Sequence, residues 1–289
     1  MKCPTFAVAL LWLTANTWSQ SPGSLGASNY VVTEDGVKLH CLVAGSGPSI
    51  LFVPGWTMPG EIWEHQIRYF AKNYRVVAMD PRSQGGSSDS SEGHYPAARA
   101  RDIKAVVDQL KLAPVTLVGW SLGALEAAAY VDQFGTGTLR ALVLVDGQVG
   151  DDLGSERTVN RLRELGMFQT NRVFFTRVFV RSLFRKPHSE AYLDRMTTAS
   201  LRTPTHASLA LVMGYLTSDY RPVLARIDKP TLILVAGRAP EHEVKLAMQK
   251  QIAGSELEVF DDAGHAMFVD EPERFNRSLE RFLEKTGKP

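Results

Sequence analysis

Residues 115–130 read Val-Thr-Leu-Val-Gly-Trp-Ser-Leu-Gly-Ala-Leu-Glu-Ala-Ala-Ala-Tyr. The apolar, β-branched run Val115 to Val118 predicts a short buried strand, and the Ala-rich run Leu122 to Tyr130 predicts a helix. Between them Gly119, Trp120, Ser121, Leu122 and Gly123 spell G-x-S-x-G, so strand passes into helix with no loop. A turn that tight strains its central residue and holds the Ser121 hydroxyl up at the head of the helix. The flanking glycines let strand and helix come close. The plainer reading is a serine that N-caps an ordinary helix.

Working outward, strand and helix signals alternate. Upstream, residues 30–33, the turn Glu34-Asp35-Gly36 and residues 37–44 read as a hairpin, and Gly45-Ser46-Gly47-Pro48 turns into an apolar strand at 50–53. A helix near 62–72, a strand at 75–79 ending at Asp80 and a helix at 97–110 follow. Downstream come a buried strand at 139–145 ending at Asp146, a strand at 230–236, a helix at about 243–252 and a last strand at 257–260. The closing helix begins at Asp270-Glu271-Pro272, an acidic first turn with proline near N1, and runs to Lys285. This order predicts an α/β fold: a mostly parallel sheet with helices on both faces.

The alternation lapses over residues 149–227, which carry helical patterns without a clear strand. At 173–184, for example, Phe174, Val178 and Phe179 can share a face opposite Arg172, Arg177 and Arg181. The stretch is read as a helical cap inserted over the sheet's carboxyl edge, its basic face in solvent. Residues 20–148 and 228–289 then form the two parts of one core.

With 289 residues, 44% of them hydrophobic, the chain can bury a full core in one large domain. A formal net charge of +1 gives no electrostatic case for a nucleic-acid or acidic-lipid partner, so a small neutral substrate fits better. Residues 1–19 read as a cleaved export signal: Lys2, a brief apolar run at 6–13 and the small-x-small site Thr17-Trp18-Ser19. The run is too short to span a bilayer, so a periplasmic or secreted protein without stable membrane insertion is expected, an uncleaved anchor or a buried N-terminal helix being the alternatives. Cleavage would remove Cys3 and leave Cys41, on a strand-like stretch, as a buried thiol with no disulfide framework around it.

A serine hydroxyl at neutral pH needs a base, so a histidine must reach Ser121. Of the seven histidines, His265 stands out because Asp261-Asp262-Ala263-Gly264-His265 directly follows the last strand, at the sheet edge where loops gather. His40, His65, His94, His188 and His206 suit surface or packing roles, and His242, near the end of the next-to-last strand, is not dismissed by position.

Four motifs in this order, Pro54-Gly55-Trp56, Asp80-Pro81-Arg82-Ser83-Gln84-Gly85-Gly86-Ser87, Gly119-Trp120-Ser121-Leu122-Gly123 and Asp262-Ala263-Gly264-His265, resemble the α/β-hydrolase superfamily over residues 30–148 and 228–286. The resemblance implies an eight-stranded sheet, a Ser-acid-His triad on Ser121 and His265, and an oxyanion hole made by the backbone N–H groups of Trp56 and Leu122. It names no substrate. The chain departs from the family's pattern at Pro54, usually His, at Ser83, usually Gly, and at Pro240, where the acid usually stands. Asp146 and Glu241 are the carboxylates that could replace it, and some similar enzymes, haloalkane dehalogenases among them, carry the acid at the earlier strand end. Asp146 is preferred because a short side chain at a rigid strand end is easier to preorganise, although it could instead be a plain strand-end turn residue.

The resulting expectation is a serine hydrolase that cleaves small-molecule carboxylic esters or lactones through an acyl-enzyme on Ser121, with no cofactor and no metal. Perhydrolysis, acyl transfer and C–C hydrolysis would use the same residues. A ligand-binding protein with a vestigial triad is the reading from another class. Phe168, Phe174, Phe175, Phe179 and Phe184 could line an apolar acyl pocket, although packing within the cap's own core is the expected role of most of them.

Overall fold

The computed structural model describes residues 24–150, 156–237 and 242–287. The expected export signal, Cys3 and Glu241 lie outside them. Among the described residues eight strands form one open sheet in the order β1-β2-β4-β3-β5-β6-β7-β8. They are β1 (Ala27–Val32), β2 (Lys38–Ala44), β3 (Ser49–Val53), β4 (Arg75–Met79), β5 (Val115–Trp120), β6 (Leu139–Val145), β7 (Thr231–Ala236) and β8 (Glu256–Phe260). The β1–β2 and β2–β4 pairs are antiparallel and every other pair is parallel, as the alternating sequence predicts.

The helices are α1 (Glu64–Phe70), α2 (Pro96–Gln109), α3 (Leu122–Phe134), α4 (Glu156–Thr170), α5 (Arg172–Ser182), α6 (Glu190–Arg202), α7 (Thr205–Thr217), α8 (His242–Gln251), α9 (Met267–Asp270) and α10 (Pro272–Lys285). Strand residues alternate between two cores, because successive side chains leave a strand on opposite faces. Leu51, Val53, Leu117, Leu142 and Leu144 pack with α2, α3 and α8, while Ile50, Phe52, Val118, Val143 and Val145 pack with α1, α9 and α10. Each large apolar side chain so buried contributes about 1.5–3 kcal/mol.

Two expectations need adjustment. The closing helix does not start at Asp270: α9 already ends there, Glu271 leaves helical geometry at φ −132 and ψ 58, and α10 restarts at Pro272. Proline disfavours helical backbone in the residue before it and suits a first helical turn, which accounts for the break. The helix predicted near 62–72 opens as a 3-10 turn at Gly60–Trp63 before α1.

The carboxyl edge of the sheet has a recurring backbone feature. Thr57, Ser83, Ser121 and Asp146, which follow β3, β4, β5 and β6, all have positive φ, at 57°, 60°, 56° and 42°. Such geometry costs a non-glycine residue of order 1–3 kcal/mol and persists only where the surroundings over-determine it. The residues between β6 and β7 cover this edge, with α4, α5 and α7 lining a cavity whose floor is the sheet's own loops.

Candidate active site

Ser121 stands between β5 and α3 with φ 56 and ψ −118, and the glycines around it make the turn possible. A Cβ on Gly119 would lie 2.3 Å from the Gly123 carbonyl oxygen, and one on Gly123 would lie 2.5 Å from that of Val53. No alanine fits either place. The Ser121 N–H donates to the Val145 carbonyl at 2.9 Å, which ties the turn to the neighbouring strand end.

The structure brings His265 to the edge beside that strand end. His265 Nδ1 and Asp146 Oδ2 are 2.6 Å apart. Asp146 Oδ1 accepts from the Ala236 N–H at 3.0 Å and from Lys245 Nζ at 2.7 Å, so α8 delivers a buried ammonium to the same carboxylate. Burial alone would push the Asp146 carboxyl up. The hydrogen bond and charge of His265, helped by Lys245, outweigh it and hold the group below its ordinary value. Asp146 is therefore an ionised carboxylate aimed at the imidazole rather than a plain turn residue.

The loop carrying His265 is held from several sides. Trp120 Nε1 donates to the His265 carbonyl at 2.9 Å, and the Ala266 N–H donates to the Leu183 carbonyl at 2.8 Å. Asp270 Oδ2 accepts from the N–H groups of Gly264 and Arg185 at 2.7 and 2.8 Å, and Asp270 Oδ1 lies 2.9 Å from His188 Nε2. Read from sequence as the acidic start of the closing helix, Asp270 instead turns its carboxylate back onto the histidine loop and the α5–α6 connection.

Trp56 and Leu122 flank Ser121 on the other side. Neither backbone N–H has an acceptor among the described residues. The turn carrying Trp56 presses on the serine, for a Cβ on Gly55 would come within 3.0 Å of Ser121 Cβ. That turn closes with the Met58 N–H on the Gly55 carbonyl at 3.2 Å and is gripped by Gln84, whose Nε2 donates to the carbonyls of Gly55 and Met58 at 3.1 and 2.8 Å. Ser83, beside Gln84, holds a positive φ of 60°, where the family resemblance leads one to expect glycine. Its hydroxyl accepts from the Ser90 N–H at 3.0 Å and lies 3.0 Å from His94 Nε2, a local compensation for the strain. Asp80 braces its own loop, accepting from the Gly60 and Gly86 N–H groups at 2.6 and 2.7 Å and meeting His40 at 2.8 Å.

Ser121, Asp146 and His265 line one cavity of about 950 Å³, together with Trp56 and Leu122. Its other walls are mostly apolar. Phe174, Phe175, Phe179 and Phe184 line it, although cap-core packing was the expected role of most of these rings; Phe168 does pack in the core, buried behind the wall against Trp56 and Phe175 at centroid distances of 5.6 and 5.5 Å. The expected faces of α5 also differ. The helix buries Thr176 and Val180, whereas Phe174 and Val178, 65% and 50% exposed, stand at the cavity's rim. Arg172, expected in solvent, straps α5 to the α6–α7 connection through the carbonyls of Leu201 and Thr203.

Lys245, Asp270 and Gln84 were not singled out from the sequence. Gln84 lies inside a quoted motif, which was the one available signal. Lys245 meets Asp146 from 99 residues away and Asp270 meets Arg185 from 85, and such long-range contacts leave no local trace.

Comparison with known proteins bears on the family and the fold. Residues 50–278 match the model of the group described as the alpha/beta hydrolase family. The chain is 26% identical over 273 residues to the non-heme chloroperoxidase CPO-A1 of Kitasatospora aureofaciens, covering 88% of this chain and 98% of that protein. It is also 26% identical over 282 residues to the bifunctional esterase/perhydrolase DCH of Acinetobacter calcoaceticus, covering 88% and 99%. Among solved structures, an esterase from Exiguobacterium antarcticum superposes with a TM-score of 0.83 at 27% identity, covering 89% of this chain and all of that one.

Proposed function

The chain belongs to the alpha/beta hydrolase family of enzymes, and from that premise we propose that it is a serine hydrolase of small-molecule carboxylic esters or lactones. The observation that carries the reading is the 2.6 Å contact of His265 with a buried, ionised Asp146 in the cavity that Ser121 also lines. Ser121 Oγ attacks the carbonyl carbon and loses its proton to His265 Nε2, while Asp146 holds the imidazole in one tautomer and stabilises the imidazolium. The negative oxygen of the tetrahedral intermediate faces the N–H groups of Trp56 and Leu122, where one such donor is worth ~3–4 kcal/mol in the transition state. His265 then returns its proton to the leaving alkoxide, and water, deprotonated by the same imidazole, releases the acid and frees Ser121.

The apolar rings of α5 suit an acyl or aryl group larger than acetyl. A second reading draws on the relative named as an esterase/perhydrolase: hydrogen peroxide in place of water would take the acyl group and leave as a peracid. We also propose, from residues 1–19 alone, that the protein acts outside the cytoplasm.

A fluorophosphonate probe tests the reading. Wild-type protein is expected to be labelled once, on Ser121, and to hydrolyse p-nitrophenyl esters, and Ser121→Ala is expected to do neither while keeping its fold. A folded wild type that neither labels nor hydrolyses esters would leave a ligand-binding protein instead.

A further inference from the structure

A buried ion pair in the core has no part in the chemistry above. Arg99 of α2 and Glu126 of α3 are each 1% exposed, with Arg99 Nε 3.1 Å from Glu126 Oε1. The pair is poorly satisfied: both Glu126 oxygens and Arg99 Nε and Nη1 lack a well-aligned hydrogen bond among the described residues. Replacing such a pair by apolar residues of similar volume is often neutral or stabilising, so stability does not account for it. The remaining Arg99 nitrogen does have an acceptor, for Nη2 donates to Gln84 Oε1 at 3.1 Å.

That contact fixes which way the Gln84 amide points. Arginine can only donate, so Oε1 must face Arg99, and the NH₂ must then face the carbonyls of Gly55 and Met58. Those carbonyls bracket Trp56. A continuous path thus runs from α3, whose first residue Leu122 supplies one proposed oxyanion donor, through Glu126, Arg99 and Gln84 to the turn that supplies the other.

We infer that Gln84 is a positioning residue for oxyanion stabilisation, and that the buried Arg99–Glu126 pair is retained to orient its amide. The inference rests on the serine-hydrolase reading above. The strained Thr57, next to Trp56, needs such external restraint. Gln84 is buried and does not line the cavity, so its loss loosens the turn, and with it a contact made in the transition state, without removing a direct contact to bound substrate.

The test uses the full-length protein, p-nitrophenyl esters and thermal unfolding. Gln84→Glu is isosteric and keeps an acceptor for Arg99, but turns a carboxylate oxygen on two carbonyls. Gln84→Met keeps the volume and removes both roles. The double variant Arg99→Met with Glu126→Leu removes the orienting charges and leaves Gln84 in place. For all three, kcat is expected to fall about tenfold or more with KM within about twofold, because the lost interaction belongs to the transition state. The double variant is expected to unfold at the wild-type temperature or above it. Stability and turnover should therefore part company.

Variants with kcat within twofold of wild type overturn the inference, as does a parallel fall of kcat and thermal midpoint across all three, which would mark simple packing. If the double variant does not fold, the two Gln84 variants, which leave the ion pair intact, decide on the same kinetic criteria. A wild type that neither labels with fluorophosphonate nor turns over ester refutes the serine-hydrolase reading and this one with it. An active wild type with insensitive variants refutes this one alone.

Discussion

Both oxygens of Asp146 are engaged, one by His265 and the other by Ala236 and Lys245, so the carboxylate has a single orientation. Substituting Asp146→Asn keeps the volume and removes the charge that both His265 and Lys245 face. The expected loss is on the order of 10⁴ in kcat with the fold intact, read from p-nitrophenyl ester turnover. Glu241→Gln should stay within about tenfold of wild type, since Glu241 then has no share in orienting the imidazole. The opposite pattern would transfer the acid's role to Glu241. At this scale the sequence was informative where a residue ends a strand, as Ser121, Asp146 and His265 nearly do, because the parallel sheet gathers those ends at one edge. It said nothing of Lys245 or Arg99. Each reads as an ordinary helix charge until the fold closes it against a partner from another element.

For whole elements, local pattern and tertiary demand agreed along the sheet and diverged in α5. The β5–α3 junction was legible because its buried strand, glycines and Ala-rich helix are all encoded within sixteen residues. In α5 apolar periodicity did not mark burial, since Phe174 and Val178 serve a cavity rim instead of the core. Two kinds of aromatic, one from α5 and one from α4, should separate on substitution. Phe179 lines the cavity and lies edge-on to Trp56 at 4.9 Å, so Phe179→Ala is expected to change the kcat/KM ratio of octanoyl to acetyl esters by roughly tenfold. Phe168, buried behind the wall, should lower stability by about 3–5 kcal/mol when cut to Ala and affect all acyl lengths alike. Equal effects on both esters from Phe179→Ala would mean that the wall does not meet the acyl chain.

On the scale of the whole molecule, acid stability ties distant parts together. His94 is buried between the loop after β4 and α7, and burial first, then the charges of Arg99, His206 and Arg82, push it down to about 4 from an ordinary 6.5. The unfolded chain therefore binds the extra proton between these values. The stability His94 contributes is complete above about pH 6.5 and is lost as the pH falls toward 4. His94→Asn should flatten this part of the curve, making the drop in thermal midpoint between pH 7 and 4.5 smaller by on the order of 5 °C. An unchanged drop would place the acid sensitivity in this window elsewhere, and not at Asp146, whose lowered carboxyl loses its stabilisation only below the ordinary aspartate range. The clamp at Asp270 bears on how such a protein can change over time. One carboxylate holds the loop of His265 and the α5–α6 connection at once. A lineage or an engineer exchanging the residues between Val145 and Thr231 for a foreign segment, in search of a new specificity, would strip the Gly264 loop of its lateral support unless the incoming piece brought its own donors to Asp270. The stretch around Leu183 to His188 is thus inherited with the sheet edge that carries Asp146 and the His265 loop, and the freely exchangeable portion is the remainder.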